Sequence, residues 1–141
     1  MKQKIITDIK FLKQTSQDAS PDEVADIVSD LVDSLDLNRG LGLSAIQIGI
    51  VKKVAIIRLN ETKINLINAY IIEKKEPFRM KSEGCLSMPG LYIDTRRYNK
   101  IKIMNNDNIE SYDGIISVAI QHELGHFQGK LITNYKWRKI R

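Results

Sequence analysis

Residues Asp113–Gly129 read DGIISVAIQHELGHFQG, and the reading of this stretch decides the rest. Asp113 can cap a helix and Gly129 can end one, so a helix is predicted from about Asp113-Gly114 to about Gln128. Ile115, Ile116, Val118, Ala119, Ile120 and Leu124 wrap much of its circumference, and a helix apolar nearly all round is buried. His122 and His126 stand four residues apart and share one face of it. Two imidazoles so placed can grip one metal ion, with Glu123 beside them as an acid or base. They are the only two histidines of the chain, and unpaired polar groups in an otherwise apolar helix are costly.

The third ligand decides the class of chemistry. The familiar zinc proteases with this helix take it from downstream, and one large group uses a histidine where this chain has Ile132. After His126 only fifteen residues follow, and none is Asp, Glu, His or Cys. The ligand must therefore come from upstream, where Cys85 stands out in the run Glu83-Gly84-Cys85-Leu86-Ser87. A thiolate and two imidazoles leave one open position on a tetrahedral ion, as a catalytic site requires. A lone cysteine is otherwise a small buried hydrophobe; the missing third ligand reverses that reading.

Outward from the helix, Tyr98 to Met104 alternates, with Ile101 and Ile103 on one side. The run NNDN from Asn105 is a turn and Ile109 to Tyr112 a return strand, so the two strands should form a hairpin. Residues 51–59, VKKVAIIRL, read as a strand, and Lys63 to Glu73 as another interrupted by Asn65 and Asn68. A glycine-studded stretch runs from Arg39 to Gly49. A first helix is predicted from about Pro21 to Leu37: Ser20 can cap it, Pro21 suits its first turn and Glu23 completes a capping box. Val24, Ile27, Val28, Leu31, Val32 and Leu35 form its apolar face, and its aspartates read as a solvated face rather than a metal site. The fold class is α+β: antiparallel β-sheets packed around a buried central helix carrying HExxH, plus one amphipathic N-terminal helix.

The chain has 141 residues, 43% apolar and 28% charged, which fits a single catalytic domain over residues 1–141. Such a chain buries enough surface to fold without a staple, and its one cysteine excludes an intramolecular disulfide. No signal-peptide core and no membrane-length apolar run is read, so a cytoplasmic location is expected. The net charge is +5, from 22 basic and 17 acidic residues. Much of the excess lies in a basic tail, residues 130–141, with Lys130, Lys136, Arg138, Lys139 and Arg141 and no acid. The tail reads either as solubilising or as a weak contact to an anionic partner such as RNA. No membrane and no DNA partner is read, and a monomer is expected because no apolar helix face is left unassigned.

Three segments together resemble the three motifs of peptide deformylases: GLGLSAIQIG at Gly40–Gly49, EGCLS at Glu83–Ser87 and QHELGH at Gln121–His126. The resemblance runs from the N-terminus to about Gly129. The chain is similar to compact members, phage-encoded ones among them, that lack a C-terminal extension; a phage origin would put it in a host cytoplasm.

The resemblance implies a hydrolase that removes the formyl group from formyl-methionyl nascent peptides and releases formate. It implies one divalent ion, Fe(2+) in the family's native form, held by Cys85, His122 and His126, with Zn(2+), Ni(2+) or Co(2+) as substitutes. Glu123 would carry the proton from water to the leaving amine. The Gln47 side-chain amide and the Leu86 backbone N–H would hold the oxyanion. Leu41, Ile115, Val118 and Ala119 would line the slot for the methionine side chain, although the same residues could be plain core. Gly42, with Gly40, would let the backbone approach the substrate or simply form a tight turn. Glu83 would orient the site by pairing with Arg97, unless the two form a plain surface pair. The basic tail would contact the ribosome.

Two positions depart from the family pattern: Ser44, where alanine is usual, and Gly125, where aspartate is usual. A helical glycine costs about 1 kcal/mol relative to alanine. Gly125 also lacks a side chain that could anchor the helix, so a less stable metal site with retained activity is expected. The competing readings are an HExxH metallopeptidase and a non-catalytic binder of formyl-methionyl peptides.

Overall fold

The computed structural model describes residues 1–36 and 40–138. In chain order the elements are α1 (Ile9–Leu12), α2 (Pro21–Ser34), β1 (Gly42–Ser44), a 3-10 turn (Ala45–Ile48), β2 (Val54–Leu59), β3 (Thr62–Ile67), β4 (Tyr70–Gly84), β5 (Tyr92–Asn105), β6 (Asn108–Asp113), α3 (Gly114–Phe127) and a second 3-10 turn (Ile132–Tyr135). The strands form two antiparallel three-stranded sheets, β1-β2-β3 and β4-β5-β6. The architecture is α+β.

Helix α2 starts where its capping residues put it: Glu23 Oε2 accepts from the Ser20 backbone N–H at 2.7 Å. Its apolar face buries Ile27 and Leu31 against Leu43, Val54 and Ile56 of the first sheet. Val32 lies off that face and is 47% exposed. The helix stops at Ser34, with Leu35 already extended, short of the predicted end; Leu37 lies outside the described residues.

The strand expected over Lys63 to Glu73 is two strands. Asn68 breaks it, with a left-handed φ of 51° that asparagine tolerates better than most residues. Its side chain accepts from the Ala19 N–H at 2.8 Å and donates to the Ala19 carbonyl at 3.0 Å. Beyond it, β4 begins and carries the chain into the other sheet. The predicted hairpin is β5–β6, turning through Asn106 and Asp107 at φ 46° and 68°, the two left-handed residues a tight hairpin needs.

Helix α3 packs between the sheets. Ile120, Leu124 and Phe127 share one core with Ala55, Ile57, Ile64 and Leu66 of the first sheet and Ile101 and Ile103 of the second. The helix is not apolar-buried all round: Ile115 is 45% exposed, and its first turn opens onto a cleft. Its end is fixed by Gly129 at φ 73°, with Gly129 N–H donating to the His126 carbonyl (3.0 Å) and Lys130 N–H to the Gly125 carbonyl (2.9 Å). A Cβ on Gly129 would lie 2.3 Å from the Lys13 carbonyl, so no other residue fits there unstrained.

The described part of the expected basic tail is packed rather than trailing. Leu131 and Ile132 are buried, Lys136 bridges to Thr95, and Trp137 N–H donates to the Asp94 carbonyl at 2.9 Å. Lys139 and Arg141 lie outside the described residues. Among the described residues, no helix is long and apolar enough to cross a membrane.

Candidate active site

Strand β4 ends at Gly84 and the chain turns at once, with Met88 N–H donating to the Cys85 carbonyl at 2.9 Å. The turn sets Cys85 against α3, where His122 and His126 occupy successive turns. Cys85 Sγ lies 3.6 Å from His126 Nε2. One donor atom from each of Cys85, His122 and His126 lies within 4.8 Å of the other two. The imidazole centroids are 5.1 Å apart.

His122 is held from behind. Its Nδ1 meets Glu83 Oε2 at 2.8 Å, which leaves Nε2 for a metal ion. Glu83 in turn accepts from Arg97 Nε on Oε1 (2.8 Å), from Arg97 on Oε2 (2.5 Å) and from the Thr95 hydroxyl on Oε1 (2.8 Å). Arg97 is 1% exposed and Glu83 7%, so this is a buried fork rather than a surface pair. Burial alone would raise the Glu83 pKa; the Arg97 and His122 contacts outweigh it and bring it down to about 2. Both Glu83 oxygens are engaged by Arg97, Thr95 and His122, while the residue, expected to bind substrate, also lines the cleft.

The two imidazoles are pushed in opposite directions. Burial, with the nearby His122 and Arg97 charges, drives His126 well below the ordinary histidine range, so it is a neutral donor. Burial would lower His122 too, but Glu123, Cys85 and Glu83 reverse that and raise it. Among the described residues, His126 Nδ1 is buried without a hydrogen-bond partner, while Nε2 faces Cys85 Sγ. One thiol, one imidazole oriented by a carboxylate and one neutral buried imidazole fit a divalent ion of borderline softness with a position left open.

Around this group the remaining expected residues converge. Leu41, Gly42, Gln47, Leu86, Ile115, Val118, Ala119 and Glu123 all line one cleft of about 530 Å³ together with Cys85, Glu83 and His122. Ile115, Val118, Ala119 and His122 are the α3 face turned to it, at helical spacing. Gln47 sits in the first 3-10 turn. Its Oε1 accepts from the Ser44 N–H at 2.9 Å, which aims Nε2 at Ser87 Oγ, 3.0 Å away, and toward Cys85 Sγ at 3.7 Å. Glu123 is 3% exposed, and burial raises its pKa against the opposing influence of His122 and Ser44. A Cβ on Gly42 would stand 2.8 Å from Glu123 Oε2 and 2.9 Å from the Ile56 carbonyl, so close approach, not a turn, is what demands this glycine.

Four supporting residues escaped the sequence reading: Thr95, Ser87, Tyr135 and the hydroxyl of Ser44. Tyr135 explains Gly125. A Cβ at that position would lie 3.1 Å from the Tyr135 hydroxyl and 3.2 Å from its ring, and the ring stacks 4.4 Å from the Arg97 guanidinium carbon. The glycine therefore seats a ring rather than leaving a gap. Gly125→Asp is accordingly expected to lower stability, by about 1–3 kcal/mol through overpacking, where the sequence alone pointed to a tighter site. Thermal unfolding of the zinc-loaded variant beside the parent checks this; a raised midpoint would restore the earlier expectation.

A family model described as Polypeptide deformylase matches residues 3–139. Among curated relatives, the peptide deformylase of Clostridium beijerinckii is 32% identical over 135 residues, spanning 91% of this chain and 97% of that protein. That of Buchnera aphidicola subsp. Schizaphis graminum is 36% identical over 121 residues, 80% of this chain and 72% of its own. Among solved structures, a peptide deformylase from Synechococcus elongatus in complex with actinonin superposes with a TM-score of 0.84 at 27% identity, covering 96% of this chain and 78% of that one. One from Legionella pneumophila shares the fold with a TM-score of 0.88 at 24% identity, over 97% and 87% of the two chains.

Proposed function

The chain belongs to the peptide deformylase family, hydrolases that remove the N-terminal formyl group from nascent peptides, and from that premise we propose which of its residues do the work. Cys85, His122 and His126 hold one divalent ion, assigned as Fe(2+), with Zn(2+), Ni(2+) or Co(2+) as substitutes. Bound by these three residues, such an ion would supply Lewis acidity and lower the pKa of a water toward neutrality. The observation that carries the reading is the convergence of these three donor groups within 4.8 Å beside a buried carboxylate, Glu123.

Glu123 takes a proton from the attacking water and passes it to the amine nitrogen as the formyl C–N bond breaks. Formate and a free amino terminus result. The oxyanion is met by Gln47 Nε2 and the Leu86 backbone N–H, preorganised donors that hold charge best in the transition state. Leu41, Gly42, Ile115, Val118 and Ala119 form the slot that takes the methionine side chain, supported by their common place on the cleft wall. Glu83 fixes the His122 tautomer.

The substrate is a formyl-methionyl nascent peptide, and residues 1–141 act as one catalytic domain built round the HExxH helix, with α2 as its amphipathic N-terminal helix. The protein works as a cytoplasmic monomer, and Lys130, Lys136 and Arg138 offer a charged contact to ribosomal RNA. Against the metallopeptidase alternative stands Cys85, whose thiol joins the two histidines as the third donor.

Formate release from a formyl-methionyl peptide by anaerobically prepared protein tests this, with metal content measured on the same sample. Release is expected to vanish on chelation and return on adding Fe(2+), and Cys85→Ala should lose both metal and activity. A Cys85→Ala protein that keeps a full equivalent of metal would overturn the ligand assignment.

A further inference from the structure

Ser44 sits between two of the residues assigned to the chemistry, Gln47 and Glu123. It is the last residue of β1 and wholly buried. Its backbone N–H donates to Gln47 Oε1 at 2.9 Å, a contact any residue but proline could make. Its hydroxyl donates to Glu123 Oε1, also at 2.9 Å, a contact alanine could not make. The Glu123 backbone carbonyl lies farther from the hydroxyl, at 3.3 Å, so the single proton goes to the carboxylate.

The other carboxylate oxygen is placed differently. Glu123 Oε2 faces Gly42, close enough that a Cβ there would stand 2.8 Å away, and Gly42 lines the cleft. The two oxygens of one side chain therefore have separate neighbours on β1: Oε1 is held by the Ser44 hydroxyl, and Oε2 is turned to Gly42 with no side chain in between, Gly42 and Glu123 both lining the cleft.

We propose that Ser44 is a positioning residue: its hydroxyl anchors Glu123 Oε1, so that Oε2 is the oxygen presented to the cleft for proton transfer. This rests on the deformylase reading and deepens it. The proton that Oε2 takes from the attacking water leaves for the amine nitrogen as the C–N bond breaks, while the Ser44 hydrogen bond to Oε1 persists throughout. The carboxylate returns to its starting state without rotating. Without the hydroxyl, the carboxylate can turn about its last bond and spend part of its time with neither oxygen aimed correctly.

Ser44→Ala removes one oxygen from a packed site and leaves the backbone contact to Gln47 intact. We expect kcat to fall about tenfold, a part of the ~10²–10⁴ a positioned base supplies. KM is expected to stay within about twofold, because the methionine slot is untouched. In a Glu123→Gln background, where there is no base to aim, the same substitution should change kcat by less than about twofold. An unchanged kcat in Ser44→Ala, or an equal loss in both backgrounds, would overturn the proposal. A second measurement stands apart from turnover: the Glu123 side-chain carboxyl carbon, followed by NMR in ¹³C-glutamate-labelled zinc-loaded protein, should shift when the hydroxyl is removed. If the parent itself releases no formate, the deformylase reading fails and this resonance decides the Ser44 contact alone; an unmoved resonance in folded protein would sink it.

Discussion

Replacing Glu123 by glutamine should lower kcat for formate release by about 10²–10⁴ while leaving metal and fold in place. The expectation follows from how the side chain is held. It is 3% exposed, one oxygen takes the Ser44 hydroxyl at 2.9 Å, and the other faces Gly42 across a gap that admits no Cβ. Glutamine has the same shape, and its carbonyl oxygen can still accept from Ser44. Nothing in the packing need move, and Cys85, His122 and His126 keep their places. What disappears is the capacity to take a proton and return it. Loss of rate with zinc content and melting temperature unchanged is the signature to measure. A variant that kept more than a tenth of the parent rate would move the proton carrier elsewhere in the cleft.

The chemistry of this chain was more legible than its scaffold, and particular residues show why. Cys85, His122 and His126 were legible as a candidate group, and the fold brings their donor atoms within 4.8 Å, because residue types able to ligate a metal are few and helix geometry spaces two of them. Helix α3 was readable from Asp113 to Gly129 because a left-handed glycine ends it, although Asp113 makes no side-chain cap bond. Most of β4 was not readable. It is an edge strand over residues such as Glu73, Lys75, Glu76 and Arg79, mostly exposed, so it shows little of the alternation that marks a half-buried strand. Left-handed residues at Glu76 and, within the irregularity between Met80 and Glu83, at Ser82 disturb the pattern further.

The supporting residues were hidden for a different reason. Thr95, Tyr135 and the Ser44 hydroxyl matter only through tertiary neighbours, and no local pattern marks a serine that reaches a glutamate 79 positions away. Arg97 was visible as a spacing but not as buried. The residues flanking it, Arg96 and Tyr98, are half-buried and stack with surface groups, so the sequence around it resembles an ordinary charged strand.

Arg97→Met should destabilise the fold by about 3–5 kcal/mol, the usual cost of stranding one partner of a buried ion pair. Glu83 would keep Thr95 and His122 but lose the guanidinium fork that outweighs its burial. The pH dependence has a definite sign. The Glu83 pKa is depressed from 4.5 to about 2 in the folded chain. Its contribution is therefore present above pH 4.5 and lost as the pH falls from there toward 2. That contribution is on the order of 3 kcal/mol, so urea unfolding of the parent should weaken over this acid range, and Arg97→Met should flatten much of the dependence. The double variant Glu83→Leu/Arg97→Met separates stability from function. Removing both charges relieves the stranded carboxylate, so stability should recover most of the loss. His122 then has no partner on Nδ1, and zinc should dissociate about 10–100-fold more readily. Recovery of stability together with full zinc retention would show that Glu83 serves only the fold, and that Cys85 and the α3 backbone suffice to orient His122.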